Sequence, residues 1–193
     1  MSRSGGPPAG PVTVVAEQLR RGVPGGIGTY VAGLARGLAA CAAGGALPFP
    51  VRLYASRPPR EGDPLEGLGL PVDTSRLPGR LLERAWAAGT GLGHQSGLVH
   101  ATSLAVPGGR DPIVVTVHDL CWRRLPHAYP RRGRAWHEAA LRRAGRRAVA
   151  FVVPSAAVAG ELAEAGVGIG AERIHVVEHG ADHLPGPDEA ATA

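Results

Sequence analysis

Lysine and asparagine are missing altogether from this 193-residue chain, so its 21 basic side chains are all arginine. A bias this complete reads as codon usage in a GC-rich genome, and it lowers the weight of any single arginine as a functional signal. Cysteine is nearly absent too. Cys41 and Cys121 stand far apart, without the spacing of a metal or redox pair, which excludes a disulfide scaffold and points to a reduced compartment. Aromatic residues make up 4% of the chain, so the core has to be built from Val, Leu and Ala. No segment approaches the ~18 consecutive apolar residues of a membrane span. Residues 1–10 also lack the apolar stretch of a signal peptide, so the expected setting is the cytoplasm.

What remains is an ordinary globular composition, 44% hydrophobic, with no internal break rich enough to demand a second domain. The expected organisation is a tail over 1–10 and one domain over 11–184. The net charge of +5 concentrates between Arg131 and Arg147. On a helix advancing ~100° per residue, Trp136, Ala140, Ala144 and Ala148 form one stripe, predicted to be buried, with Arg131, Arg132, Arg142 and Arg146 opposite. Such a face is either solvated or meets anionic lipid at the inner surface of a membrane. Nucleic acid is not expected, because no recognition helix, RNP or zinc-knuckle pattern accompanies the charge.

Strand and helix patterns alternate along the chain. Apolar runs predict strands at 12–16, 51–55, 98–100, 113–117, 148–153 and 174–177. Helices are predicted from Ile27 to Ala43, with Ile27, Val31, Leu34 and Leu38 on one stripe, from Leu81 to Ala88, over the arginine-rich segment, and from Ser155 to Ala165. Ser155 is a good N-cap there, and Gly166 a good stop. Ser56 to Pro78, rich in Pro, Gly and acidic residues, is expected to be a long surface loop. The result is an α/β domain whose parallel sheet carries helices on both faces and binds ligands beyond the carboxyl ends of its strands.

Two segments at such ends carry chemistry. Pro24-Gly25-Gly26-Ile27-Gly28-Thr29-Tyr30 opens a helix. Its glycines let the backbone approach a ligand, and the free N–H groups of Gly25, Gly26 and Ile27 suit a phosphate, although a tight turn alone would use the same residues. Gly26-Ile27-Gly28 also begins like a dinucleotide fingerprint, but the third glycine position is Val31 and no acidic residue follows the second strand. Ser56-Arg57 stand there instead, which leaves an NADP-dependent enzyme as a minor alternative. The second segment, Thr116-Val117-His118-Asp119-Leu120, places His118 at the mouth of the most apolar strand, where it would contact a substrate or be satisfied by backbone carbonyls or Asp119.

Other histidine patterns are weaker. His175, His179 and His183 recur every four residues but fall on a strand and loop rather than a helix, so no metal site is expected. His137-Glu138 begins like a zinc-protease helix, with Leu141 in place of the second histidine. No Asp-x-Asp pair and no nucleophile elbow occur.

Four features come in order: the Gly-Gly loop, Val117-His118-Asp119-Leu120 with Pro126 and Tyr129 downstream, Val153-Pro154-Ser155, and Arg173-Ile174-His175-Val176-Val177 running to Gly180 and Asp182. Together they resemble the amino-terminal half of a family 4 glycosyltransferase over nearly the whole of Val12 to Asp182. The resemblance implies a Rossmann-like domain of a GT-B fold, a nucleotide-sugar donor such as GDP-mannose or a UDP-sugar, and a sugar or lipid-linked acceptor. It further implies mannosyl transfer with retention and no cofactor or metal. Carried over by position, Gly25, Gly26 and Ile27 would form the donor-phosphate loop and His118 would contact the transferred sugar as the catalytic residue. Gly28, Tyr30, Asp119 and Ser155 would border the acceptor side of the cleft. His179 departs from the Asn common before the glycine, and Gly28 from a polar acceptor contact of some relatives. A donor-binding second domain would begin beyond a linker at 185–193, so the chain is expected to be half of a split or truncated enzyme. A binding module that keeps the fold without the chemistry stays open.

Overall fold

The computed structural model describes residues 10–93 and 97–181. Residues 1–9 of the expected tail, the expected linker, and Asp182 and His183 lie outside them. Seven parallel strands form one sheet in the order β3-β2-β1-β4-β5-β6-β7. They are β1 Val12–Val15, β2 Val51–Ala55, β3 Val72–Thr74, β4 Leu98–Ala101, β5 Ile113–Thr116, β6 Ala148–Val153 and β7 Ile174–Val176. The helices are α1 Gly25–Ala43, α2 Gly79–Ala87, α3 Cys121–Arg124, α4 Arg131–Arg147 and α5 Ala156–Ala163.

The pleat of a strand sends alternate side chains to opposite faces, and here this separates two cores. Val12, Val14, Leu53 and Ala55 meet Val31 and Ala35 of α1 on one face. On the other, Val15, Tyr54, Val99, Ala101, Val115 and Phe151 pack against Leu82 and Trp86 of α2, Leu141 and Ala144 of α4 and Leu162 of α5. The first three strands step toward one edge and β4 to β7 toward the other, so the chain reverses direction between β1 and β4. At such a switch point the loops leaving neighbouring strands diverge and open a crevice.

Three expectations need correction. The segment 56–78 is not wholly a surface loop: it contributes β3, paired with β2, and buries Leu65 and Leu68 in the α1 core. Three residues of strand among prolines and glycines give too short an alternation to read from sequence. On α4 the buried residues are Ala140, Leu141, Ala144 and Gly145, whereas Trp136 is 41% exposed. The stripe is rotated because Gly145 admits a backbone approach that no larger residue allows, its missing Cβ lying 2.6 Å from the Val167 carbonyl. Helix α1 starts at Gly25 rather than Ile27, with Gly25 at φ 61°, a conformation in which a Cβ would be strained. Leu34 and Leu38 of the predicted stripe do pack against the α1 core, half-buried.

Candidate functional site

Among the described residues, two of the cavities at the carboxyl ends of the strands flank the first turn of α1, one on each side. The smaller, about 230 Å³, lies at the switch point, between Gln18 and Arg21 beyond β1, Ser103 beyond β4, His118 and Asp119 beyond β5, and an aromatic wall from α3 and α4. The larger, about 1000 Å³, is shared by the α1 turn, with Pro24, Gly25, Gly26 and Tyr30, and by Val177 to Gly180 beyond β7.

The glycine turn is held open by its surroundings. Gln18 donates from Nε2 to the Pro24 carbonyl at 2.7 Å, fixing the loop ahead of the helix. The Gly28 N–H closes onto Pro24 O at 3.1 Å, so the N–H groups of Gly25, Gly26 and Ile27 precede the first helical hydrogen bond. Gly26 is exposed, and a Cβ built on it meets nothing within 4 Å. Gly28 is the opposite case. It is buried, and a Cβ there would collide with the Pro24 ring, with Leu19 Cδ2 a further neighbour at 3.7 Å. Its glycine is required by packing against Pro24.

His118 lines the smaller cavity and packs against Tyr30 and His179 of the larger. Its Nε2–H donates to the Thr102 carbonyl at 3.0 Å, and Thr102 is itself anchored across the switch point by its hydroxyl, which donates to Val15 O at 2.6 Å. Burial holds the imidazole below its ordinary pKa, with a lesser push from nearby His179. The ring is therefore neutral near pH 7, with Nε2 as its donor and Nδ1 as its acceptor. Tyr30 stands edge-on to it at 4.9 Å between centroids, and His179 lies 4.6 Å from Tyr30 and 5.2 Å from His118. These three rings form the partition between the cavities.

Behind it runs a polar relay that the sequence did not announce. The Thr116 hydroxyl lies 3.2 Å from Tyr30 Oη and 2.8 Å from His100 Nε2. Burial pushes His100 down to about 4, so it too is neutral. Tyr30, one of the expected cleft residues, is thus fixed from both its ring and its hydroxyl.

The remaining expected residues separate. Asp119 lines the smaller cavity and accepts the Cys121 N–H on Oδ1 at 2.8 Å, turning the chain into α3. Ser155 caps α5, its Oγ accepting from Val158 N at 3.3 Å, and lines neither cavity. Ser56, considered for a 2′-phosphate, is sequestered: its N–H donates to Glu17 Oε2 at 2.6 Å and its carbonyl accepts from Arg20. Ser56 is thereby committed to Glu17 and is not available to a 2′-phosphate. Glu138 holds the aromatic wall, accepting from Trp122 Nε1 at 2.8 Å and from Arg123 Nε and Nη2 at 2.7 Å each. Sequence reasoning missed Gln18, Thr102, His100 and Glu138 as positioning groups. The available signal was position, since Thr102 directly follows a buried strand and Gln18 comes three residues after one.

An open parallel sheet with a crevice at its switch point and a glycine-opened helix facing it defines the class of α/β domains that bind ligands beyond the carboxyl ends of their strands. The family model described as Glycosyltransferase Family 4 matches residues 24–183, and the chain belongs to that family. No curated protein matches it. Among the described residues no helix is long and apolar enough to cross a membrane.

Proposed function

We propose that this domain is the acceptor-side half of a retaining glycosyltransferase, most simply a mannosyltransferase using GDP-mannose, with a UDP-hexose as the second donor to test. The observation that carries this reading is the three-ring partition. It puts a helix N-terminus suited to a diphosphate on one side and a compact polar and aromatic cavity on the other, with the neutral His118 at the boundary. The donor diphosphate lies at the N–H groups of Gly25, Gly26 and Ile27, where the helix dipole favours negative charge. The transferred sugar reaches His118, and the acceptor hydroxyl enters from the smaller cavity. The bond from C1 to the phosphate oxygen breaks as the bond from C1 to the acceptor oxygen forms on the same face, through an oxocarbenium-like state, and the departing phosphate takes the acceptor proton. No metal or cofactor is assigned a part. The rest of the donor site belongs to a second domain, because three N–H groups meet only part of a diphosphate's charge.

Calorimetric titration of the chain with GDP-mannose and UDP-glucose, beside a nucleotide-release assay over sugar and lipid acceptors, tests this reading. Weak donor binding without turnover by the chain alone, and turnover once a donor-binding domain is joined to it, are the expected results. Micromolar binding with acceptor-dependent turnover by these residues alone would overturn the half-cleft assignment. A joined enzyme that binds donor and acceptor yet transfers nothing would make the domain a binding module.

A further inference from the structure

We infer that Trp136 is the acceptor platform, and that the acceptor group it selects is a single hydroxylated six-membered ring, a pyranoside or cyclitol, stacked by its C–H face on the indole. The inference rests on the proposed transferase reading of the same site and assigns its acceptor subsite.

Trp136 does not behave as a core residue. It is 41% exposed and lines the smaller cavity. A large apolar surface left open at the mouth of a polar cavity is the informative exception to ordinary burial. It is also held rather than free. His137 stands perpendicular to it at 4.9 Å, stacks on Trp122 at 4.7 Å, and meets Tyr129 edge-on at 5.9 Å. The His137 ring is fixed by its Nδ1–H donating to Gly133 O at 2.8 Å. A rigid aromatic surface costs little conformational entropy when a ligand settles on it.

The opposite wall is polar. Gln18 spends one amide N–H on Pro24, which leaves its carbonyl oxygen able to accept. Asp119 accepts the Cys121 N–H on Oδ1 and a hydrogen bond from the Cys121 thiol, and its exposed carboxylate has lone pairs left for a hydroxyl, while Ser103 and Arg21 complete the wall. An aromatic face on one side and hydroxyl-binding groups on the other match a ring whose axial C–H bonds are apolar and whose equatorial edge carries hydroxyls. A flexible polyol presents no such face, and an alkyl chain leaves the polar wall unpaired. The cavity of about 230 Å³ has room for one such ring.

The test is tryptophan fluorescence of the chain titrated with methyl hexopyranosides and myo-inositol, against sorbitol and octanol, in the parent, Trp136→Phe and Trp136→Ala. Because Trp136 is at the surface, both variants should melt with the parent. Saturable quenching by the rings and not by sorbitol or octanol is expected. Competition against a fluorescent pyranoside should show binding weakened about fivefold to tenfold in Trp136→Ala and largely retained in Trp136→Phe, the scale of an aromatic contact. Ring binding unchanged in Trp136→Ala, or equal response to sorbitol, overturns the platform. Donor titration separates this from the broader reading. A platform failure leaves nucleotide-sugar binding and its sensitivity to Gly26 intact, whereas loss of all donor binding would remove the transferase reading itself.

Discussion

Gly26 and Gly28, two residues apart on α1, should respond to alanine in opposite ways. At Gly26 the added methyl enters open space, and replacing a helical glycine by alanine gains up to about 1 kcal/mol of stability. At Gly28 it enters the Pro24 ring, a rigid neighbour that cannot rotate away. Overpacking of this kind costs about 1–3 kcal/mol, against which the same propensity gain of about 1 kcal/mol works. The net loss for Gly28→Ala is then about 0–2 kcal/mol, and the two variants differ by about 1–3 kcal/mol. For a domain of this size that separates their melting temperatures by roughly 2–12 °C, readable by calorimetry or circular dichroism. Function should run the other way for Gly26. Its methyl stands where a diphosphate would approach the free N–H groups, so Gly26→Ala should melt at or above the parent temperature and lose donor affinity. A Gly26→Ala protein that binds donor normally refutes the phosphate-loop assignment. One that melts well below the parent refutes the packing argument.

His118→Ala should lower turnover of the complete enzyme by about 10²-fold, the scale of losing an aimed polar group, with little change in melting temperature; steady-state kinetics beside a thermal melt reads both. His100, His118 and His179 all have folded-state pKa values below the ordinary 6.5. The unfolded chain therefore binds protons first, and stability held above pH 6.5 is lost as pH falls toward the folded values. For His100, at about 4, the loss reaches about 3 kcal/mol. Glu17, raised by burial, shifts the balance slightly the other way. Urea denaturation at a series of pH values should show this slope between 6.5 and 4, shallower in His100→Phe. Glu138→Ala removes the acceptor for the Trp122 indole and the Arg123 guanidinium and should cost about 1–3 kcal/mol, with the acceptor KM rising more than the donor KM. The exposed Arg131, Arg132, Arg142 and Arg146 on α4 should give salt-sensitive sedimentation with anionic vesicles and none with neutral ones; equal sedimentation with both would show that charge plays no part.

Local order was legible in the sequence because period and end signals are written in consecutive residues. The apolar runs from Val12, Val51, Ile113 and Ala148 became the central strands, Ser155 became a cap, and the Gly-Gly and Val-His-Asp-Leu segments fell at strand ends on the same side of the sheet. What the chain could not state by itself was which side chains from distant segments share a space. The hydroxyl of Thr116 meets Tyr30 and His100 only because β4, β5 and α1 converge at the switch point. His118 takes its tautomer from a carbonyl on Thr102, a residue that itself reaches back to β1. Helical spacing correctly put Ala140 and Ala144 on one face, but it placed Trp136 with them, and the close approach of the Val167 carbonyl to Gly145 decided the rotation that sends the indole to the cavity instead. Periodicity fixes which residues share a face, whereas the direction that face turns is settled by the packing of neighbouring elements, and only the tertiary structure contains it.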